Sequence, residues 1–105
     1  MIDAAEWLSS RIPAPPPELA ERFARIADGR TCSDEVELSR FFVSEAAALL
    51  KNLSGDRSGA LDLLVADSLI TYAMEAAAEN GRSVDAAATD AIQVIAATAS
   101  RGGKA

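Results

Sequence analysis

Residues 60–80 read ALDLLVADSLITYAMEAAAEN. Apolar residues recur at helical spacing throughout this segment, and on a helical projection they cover well over half of the circumference. An apolar arc of that width is typical of a central helix that its neighbours touch from several sides. The arc comprises Leu61, Leu63, Val65, Leu69, Ile70, Tyr72, Met74 and several alanines. We therefore expect this segment to be the core helix of an all-α protein.

Turn and capping signals place a helix on each side of the central one. A loop at residues 54–59 precedes it, and residues 34–53 upstream of that loop carry a broad apolar stripe. Gly81 ends the central helix, and Ser83 is the predicted N-cap of a final helix. The face that this final helix is expected to bury consists of Val84, Ala88, Ala91, Ile92 and Ile95.

Two shorter helices are predicted near the N-terminus. The first extends from about Asp3 to Ile12, and the second begins at Pro17 and ends before Gly29. A Pro-rich connector at residues 13–17 separates them, because proline lacks an amide donor and disfavours helical backbone before it. No segment alternates apolar and polar residues as a strand would. The prediction is a compact bundle of about five helices, two short and three longer, with no sheet.

Composition limits the classes of partner. The 105 residues form a single predicted helical domain, 1–105, with 50% hydrophobic residues and a formal net charge of -6. Because the chain is acidic and contains no run of basic residues, we expect neither nucleic acid nor a membrane surface as its partner. The single cysteine, Cys32, excludes an internal disulfide bond. The single cysteine and the abundance of alanine together favour the bacterial cytoplasm as the location of the protein.

The absence of histidine weighs against an enzyme. Neither a Ser-His-Asp nor a Cys-His arrangement can form, and the commonest general base near neutral pH is missing. The glycines match no phosphate-binding pattern. The sequence therefore predicts no catalytic residue, no metal and no cofactor.

Five residues of the central helix are candidates for ligand binding. Asp67, Thr71 and Glu75 follow one another at intervals of four, so they share a helix face that is either solvated or able to hold a ligand. Asp62 projects into the apolar arc, where it either stabilises the helix N-terminus or binds a ligand. Tyr72 is a candidate polar side chain in the wall of a ligand pocket inside the bundle.

Two aromatic residues fall outside the apolar stripes of their helices. Trp7 lies off the stripe that contains Leu8, and Phe41 lies on the side of its helix that it shares with Glu45. Either another part of the chain covers these rings, or they are anchors of an interface with a partner.

The leading functional hypothesis is an acidic protein–protein interaction module that forms a homodimer or binds another protein, with Trp7 and Phe41 at the interface. One alternative is a helical bundle that binds a small molecule. A second alternative is a subunit of a carboxylate- or metal-dependent enzyme, which would require several acids to converge on one cavity.

Overall fold

The computed structural model describes residues 1–11 and 14–102, and it confirms the all-α class. As predicted, the two helices nearest the N-terminus are short and the other three are longer. The elements in chain order are β1 (Ile2–Asp3), α1 (Ala4–Ser9), α2 (Pro17–Ala27), β2 (Thr31–Cys32), α3 (Glu35–Lys51), α4 (Arg57–Glu79) and α5 (Val84–Gly102). Ile12, which was predicted to end the first helix, and Pro13 of the connector lie outside the described residues.

Local hydrogen bonds explain where the helices begin. The side chain of Asp34 accepts from the Glu37 amide at 2.9 Å, and Ser83 Oγ accepts from the Ala86 amide at 3.1 Å. Both are N-cap bonds, which satisfy amides that have no partner inside the helix. Gly29 and Gly81 follow helix ends with φ of 71° and 81°, the left-handed conformation in which glycine is favoured.

The helix α4 begins earlier than predicted. Its first residue is Arg57, inside the segment expected to be a loop, because Asp56 accepts a hydrogen bond from the Gly59 amide at 3.1 Å and caps the helix. This is the same kind of cap as at Asp34.

The prediction of no sheet is wrong for one short ladder. The strands β1 and β2 pair antiparallel, with Ile2 opposite Cys32 and Asp3 opposite Thr31. The Ala4 amide extends the pairing by donating to the Arg30 carbonyl at 3.0 Å. Strands of two residues are too short to show an alternating pattern, so the sequence carries no signal for them. The ladder attaches the N-terminal segment to the connection between α2 and α3.

Two contacts fix the direction of α3 relative to α4. Ser39 Oγ donates to the Ala73 carbonyl at 2.8 Å, and Asn80 Nδ2 donates to Glu35 Oε1 at 3.1 Å. Because later residues of α4 lie beside earlier residues of α3, the two helices are antiparallel.

The last helix runs back along this pair. Asp90 lies 3.7 Å from Arg40, farther along α3 than the contact between Asn80 and Glu35. The helix α5 therefore follows the direction of α3 and runs antiparallel to α4, and it packs on both.

The core lies where these helices meet. Its largest fully buried side chains are Phe42, Leu38, Leu69, Val65 and Cys32. The helix α4 packs against α2, α3 and α5, as expected of a central helix. However, the apolar arc is not buried all round, because Leu63 is 50% exposed and its neighbour Leu64 is 52% exposed.

Candidate functional site

Trp7 is held in the core by aromatic contacts and one hydrogen bond. Its side chain is buried. The centre of its ring lies 5.5 Å from the centre of the Phe42 ring and 6.2 Å from the centre of the Tyr72 ring. The indole Nε1 donates to Glu79 Oε1 at 2.8 Å. A buried tryptophan normally needs a partner for this N–H group, and Glu79 supplies it.

Arg11 completes a charged cluster around this tryptophan. Its guanidinium lies 3.8 Å from the centre of the Trp7 ring, 2.9 Å from Glu79 Oε2 and 3.6 Å from Glu75. The hydrogen bond from Trp7 lowers the pKa of Glu79 below its ordinary value, and Arg11 lowers it further. Both groups favour the ionised carboxylate. The cluster attaches α1 to the end of α4.

Phe41 is also covered by its own chain. Its side chain is buried, its ring packs 5.6 Å from that of Phe42, and the Arg30 guanidinium lies 4.7 Å from its centre. These contacts, like those of Trp7, favour the intramolecular alternative that the sequence left open. They remove the observation that suggested Trp7 and Phe41 as interface anchors.

The structure does not bring the five ligand candidates together. Asp62 forms an ion pair with Arg22 of α2. Thr71 Oγ1 donates to the backbone carbonyl of Asp67 at 3.3 Å, and both side chains are exposed. Glu75 interacts with Arg11 instead. Asp67, Thr71 and Glu75, at intervals of four, therefore share an exposed helix face. This agrees with the interpretation of that face as solvated.

Tyr72 is the candidate that does reach a cavity. The space has a volume of about 230 Å³ and lies between α1, α2 and α4. Burial raises the pKa of the Tyr72 hydroxyl, and the nearby Glu75 carboxylate raises it further. The other lining residues are Ala5, Leu8, Ser9, Arg11, Ala14, Pro15, Ala20, Phe23 and Ala24.

A second feature is an apolar surface on the last two helices, which we call the α4–α5 surface. It consists of the exposed Leu63 and Leu64 of α4 and Ile92 of α5, together with Ile70 and Met74 of α4, which are partly buried against the core. Leu63, Ile70 and Met74 share one face of their helix by their spacing of seven and four. Ile92 is 65% exposed. This exposure contradicts its predicted burial, whereas Ala91 is buried as expected; the side chain of Val84 lies outside the described residues.

Neither a metal cluster nor a membrane-spanning helix is found in the part of the chain that the structure describes. No group of three or more acidic, cysteine or histidine side chains converges there. Within the same residues, no helix combines the length and apolarity needed to cross a bilayer.

Comparisons with known proteins give no functional assignment. No protein-family model, curated protein or solved structure matches this chain.

Sequence reasoning missed three residues that define these features. Arg11 and Glu79 are 68 positions apart, and no local pattern predicts their contact at 2.9 Å. Phe23 is a buried residue of α2, and nothing in the sequence placed it beside a cavity. The one available signal was the abundance of alanine in α1 and α2, since small side chains leave space between helices.

Proposed function

We propose that this protein is an interaction module that self-associates through the α4–α5 surface. One observation carries the proposal: large apolar side chains are half or more exposed on neighbouring helices. Leu63 is 50% exposed, Leu64 is 52% exposed and Ile92 is 65% exposed. Covering such side chains removes apolar area from water and stabilises an assembly by about 25 cal/mol per Å².

The distribution of charge supports a second copy of this chain as the partner. Residues 91–99 contain no charged side chain, although charged residues make up 25% of the sequence. Two copies with a formal charge of -6 each repel one another on average. An approach through this part of α5 brings few like charges into direct contact; on α4, the exposed Asp67 lies one helical turn from Leu63 and Leu64.

Symmetry adds a further reason to prefer a dimer. In a two-fold dimer each copy presents the same patch, so an apolar surface meets an identical apolar surface. No complementary acceptor elsewhere on the protein is required. A different protein as partner would need its own matching apolar patch.

The cellular setting belongs to the same proposal. We place the dimer in the bacterial cytoplasm, on the strength of the single free cysteine, Cys32, and the alanine-rich composition. The proposed activity requires neither a cofactor nor a metal, and its partner is a protein.

Light scattering on a sizing column, over a range of protein concentrations, tests self-association. The wild type is expected to approach twice the chain mass of 10.9 kDa as its concentration rises. Leu63→Glu and Ile92→Glu are each expected to remain at the mass of one chain, because the dimer would bury an unpaired carboxylate.

The matched control is Ala48→Glu, which adds the same charge at an exposed position of α3. It should dimerise as the wild type does. A wild type that stays monomeric at every concentration would refute the proposal, and so would a control that loses dimerisation as fully as the two surface variants. Circular dichroism of each variant verifies that it is folded.

A further inference from the structure

We infer that the cavity between α1, α2 and α4 binds a neutral, largely apolar small molecule of one or two rings. The cavity measures about 230 Å³, and its walls are formed mainly by Ala5, Leu8, Ala20, Phe23, Ala24 and Tyr72. This site is separate from the α4–α5 surface, so the inference does not depend on self-association.

The size of the cavity sets the size of the ligand. An apolar cavity of roughly 150 Å³ is large enough to hold benzene. A volume of about 230 Å³ therefore accommodates more than one ring, while staying just below the usual range of drug-sized pockets, about 300–1,000 Å³. The alanines Ala5, Ala20 and Ala24 leave this space unfilled, whereas larger side chains at these positions would occupy it.

The aromatic walls favour a flat or ring-shaped molecule. The rings of Phe23 and Tyr72 lie 5.6 Å apart with an interplanar angle of 78°, an edge-to-face arrangement. They offer apolar faces and edges at an angle to one another. A ring in the cavity can pack against such surfaces with offset or edge-to-face geometry.

The electrostatics of the walls favour a neutral ligand. Among the described residues, Arg11 is the only charged one that lines the cavity, and its guanidinium already interacts with Glu79 at 2.9 Å and Glu75 at 3.6 Å. Two carboxylates thus oppose one cation beside the cavity, in a protein of net charge -6. An anionic ligand would be repelled, and a ligand cation would lose its hydration among apolar walls.

Two lining residues have a polar atom without a hydrogen-bond partner among the described residues: Arg11, at its buried Nε, and Tyr72, at its hydroxyl. The Ser9 hydroxyl donates to the Glu6 carbonyl at 2.7 Å, whereas the Tyr72 hydroxyl forms no hydrogen bond with any residue that the structure describes. Tyr72 keeps its proton at neutral pH, because the ordinary pKa of a tyrosine, 10.0, is already far above 7 and burial raises it further, so the hydroxyl can donate. The preferred ligand therefore carries one acceptor, such as a carbonyl or ether oxygen or an amine nitrogen.

Two fluorescent probes that share one skeleton test the inference. 1-Dimethylaminonaphthalene is a neutral two-ring molecule, and 5-dimethylaminonaphthalene-1-sulfonate is the same molecule with an added sulfonate. The neutral probe is expected to bind one site per chain with enhanced fluorescence. The sulfonate is expected to bind at least about tenfold more weakly, a difference of about 1.4 kcal/mol.

Matched substitutions locate the binding. Ala24→Leu introduces a larger side chain into the cavity wall from an exposed position, whereas Ala48→Leu makes the same change on α3, away from the cavity. Binding of the neutral probe should be lost in Ala24→Leu and retained in Ala48→Leu. Leu63→Glu should also retain it, which separates the cavity from the α4–α5 surface.

Three results would overturn the inference. They are absence of saturable binding to the wild type, equal binding by Ala24→Leu, and equal affinity for the neutral and sulfonated probes. A thermal shift provides a second readout: the neutral probe should raise the unfolding temperature of the wild type and of Ala48→Leu, but not that of Ala24→Leu.

Discussion

Glu79 has contacts that link opposite ends of the chain. It accepts hydrogen bonds from Trp7 at 2.8 Å and from Arg11 at 2.9 Å, one to each carboxylate oxygen. Bonds of this kind to an ionised acceptor are stronger than those between neutral groups. Protonation of this carboxylate at acidic pH should therefore weaken the attachment of α1 to α4.

The pH dependence of stability follows from this carboxylate. The pKa of Glu79 in the folded protein lies below its ordinary value of 4.5, so the unfolded state binds the proton more readily. The contribution of Glu79 to the free energy of unfolding is present at pH values above 4.5. It is lost as the pH falls through the pKa that Glu79 has in the folded protein. We expect Glu79→Gln to be less stable than the wild type at pH 7, with a gap that narrows toward pH ~3.

Urea unfolding at a series of pH values measures this gap. Glu21→Gln is the control, because Glu21 is exposed on α2 and its nearest cation, Arg25, is 3.9 Å away. The control should show little difference from the wild type at any pH. A gap for Glu79→Gln that stays constant from pH 7 to pH ~3 would contradict the assignment.

The first turn of α4 depends on a glycine. A Cβ added at Gly59 would lie 1.8 Å from the carbonyl oxygen of Ser54, because the preceding loop passes against the helix there. At Gly55, in the same loop, an added Cβ would have no atom within 4 Å. Glycine at residue 59 is thus required by a close approach of the backbone.

Gly59→Ala should therefore destabilise the protein, although alanine is the better helix former. Displacing the loop is expected to cost about 1–3 kcal/mol, the usual range for overpacking. Gly55→Ala, the matched control, should change the free energy of unfolding by less than about 0.5 kcal/mol. Chemical denaturation of both variants measures the difference. Equal free energies of unfolding for the two variants would contradict this prediction, because they would show that the loop moves aside without destabilising the protein.

The elements differ in how far sequence predicts them. The cap at Ser83 was predicted because one residue and its near neighbours determine an N-cap. The β1–β2 ladder was not, since two residues show no periodicity. Leu63 was predicted to be buried because the width of an apolar arc cannot reveal which part of it a neighbouring helix covers.

The candidate sites were less predictable than the helices. Tyr72 was identified as a pocket residue, and the structure places it in the cavity wall. The sequence could not place Trp7 and Phe41 in the core, because their covering residues come from distant elements. The spacing of Asp67 and Glu75 predicts that they share one helix face. It does not predict whether other ligand groups lie opposite that face.

The whole molecule is acidic, and this should govern how its association responds to salt. Two copies of charge -6 repel one another over about 10 Å at an ionic strength of 0.1 M, and added salt screens this repulsion. We expect the dissociation constant of the wild-type dimer to decrease as salt is raised from about 0.02 to about 0.5 M. Sedimentation equilibrium at each salt concentration measures it.

The direction of the salt effect distinguishes two kinds of interface. Association through an apolar contact that contains no ion pair, such as the α4–α5 surface, is strengthened when salt screens the repulsion between the two copies, whereas association through ion pairs is weakened by salt. Leu63→Glu should remain monomeric across the range. A dimer that dissociates with added salt would therefore contradict the proposed surface.

The bond between Trp7 and Glu79 also has a consequence for synthesis on the ribosome. The two residues are separated by 72 positions, so Trp7 is made long before its partner. At the usual rate of 5–20 residues per second, that delay lasts roughly 4 to 14 s. Throughout this time the indole lacks Glu79 as its hydrogen-bond acceptor. The segment that contains Trp7 is thus among the last to reach its native place.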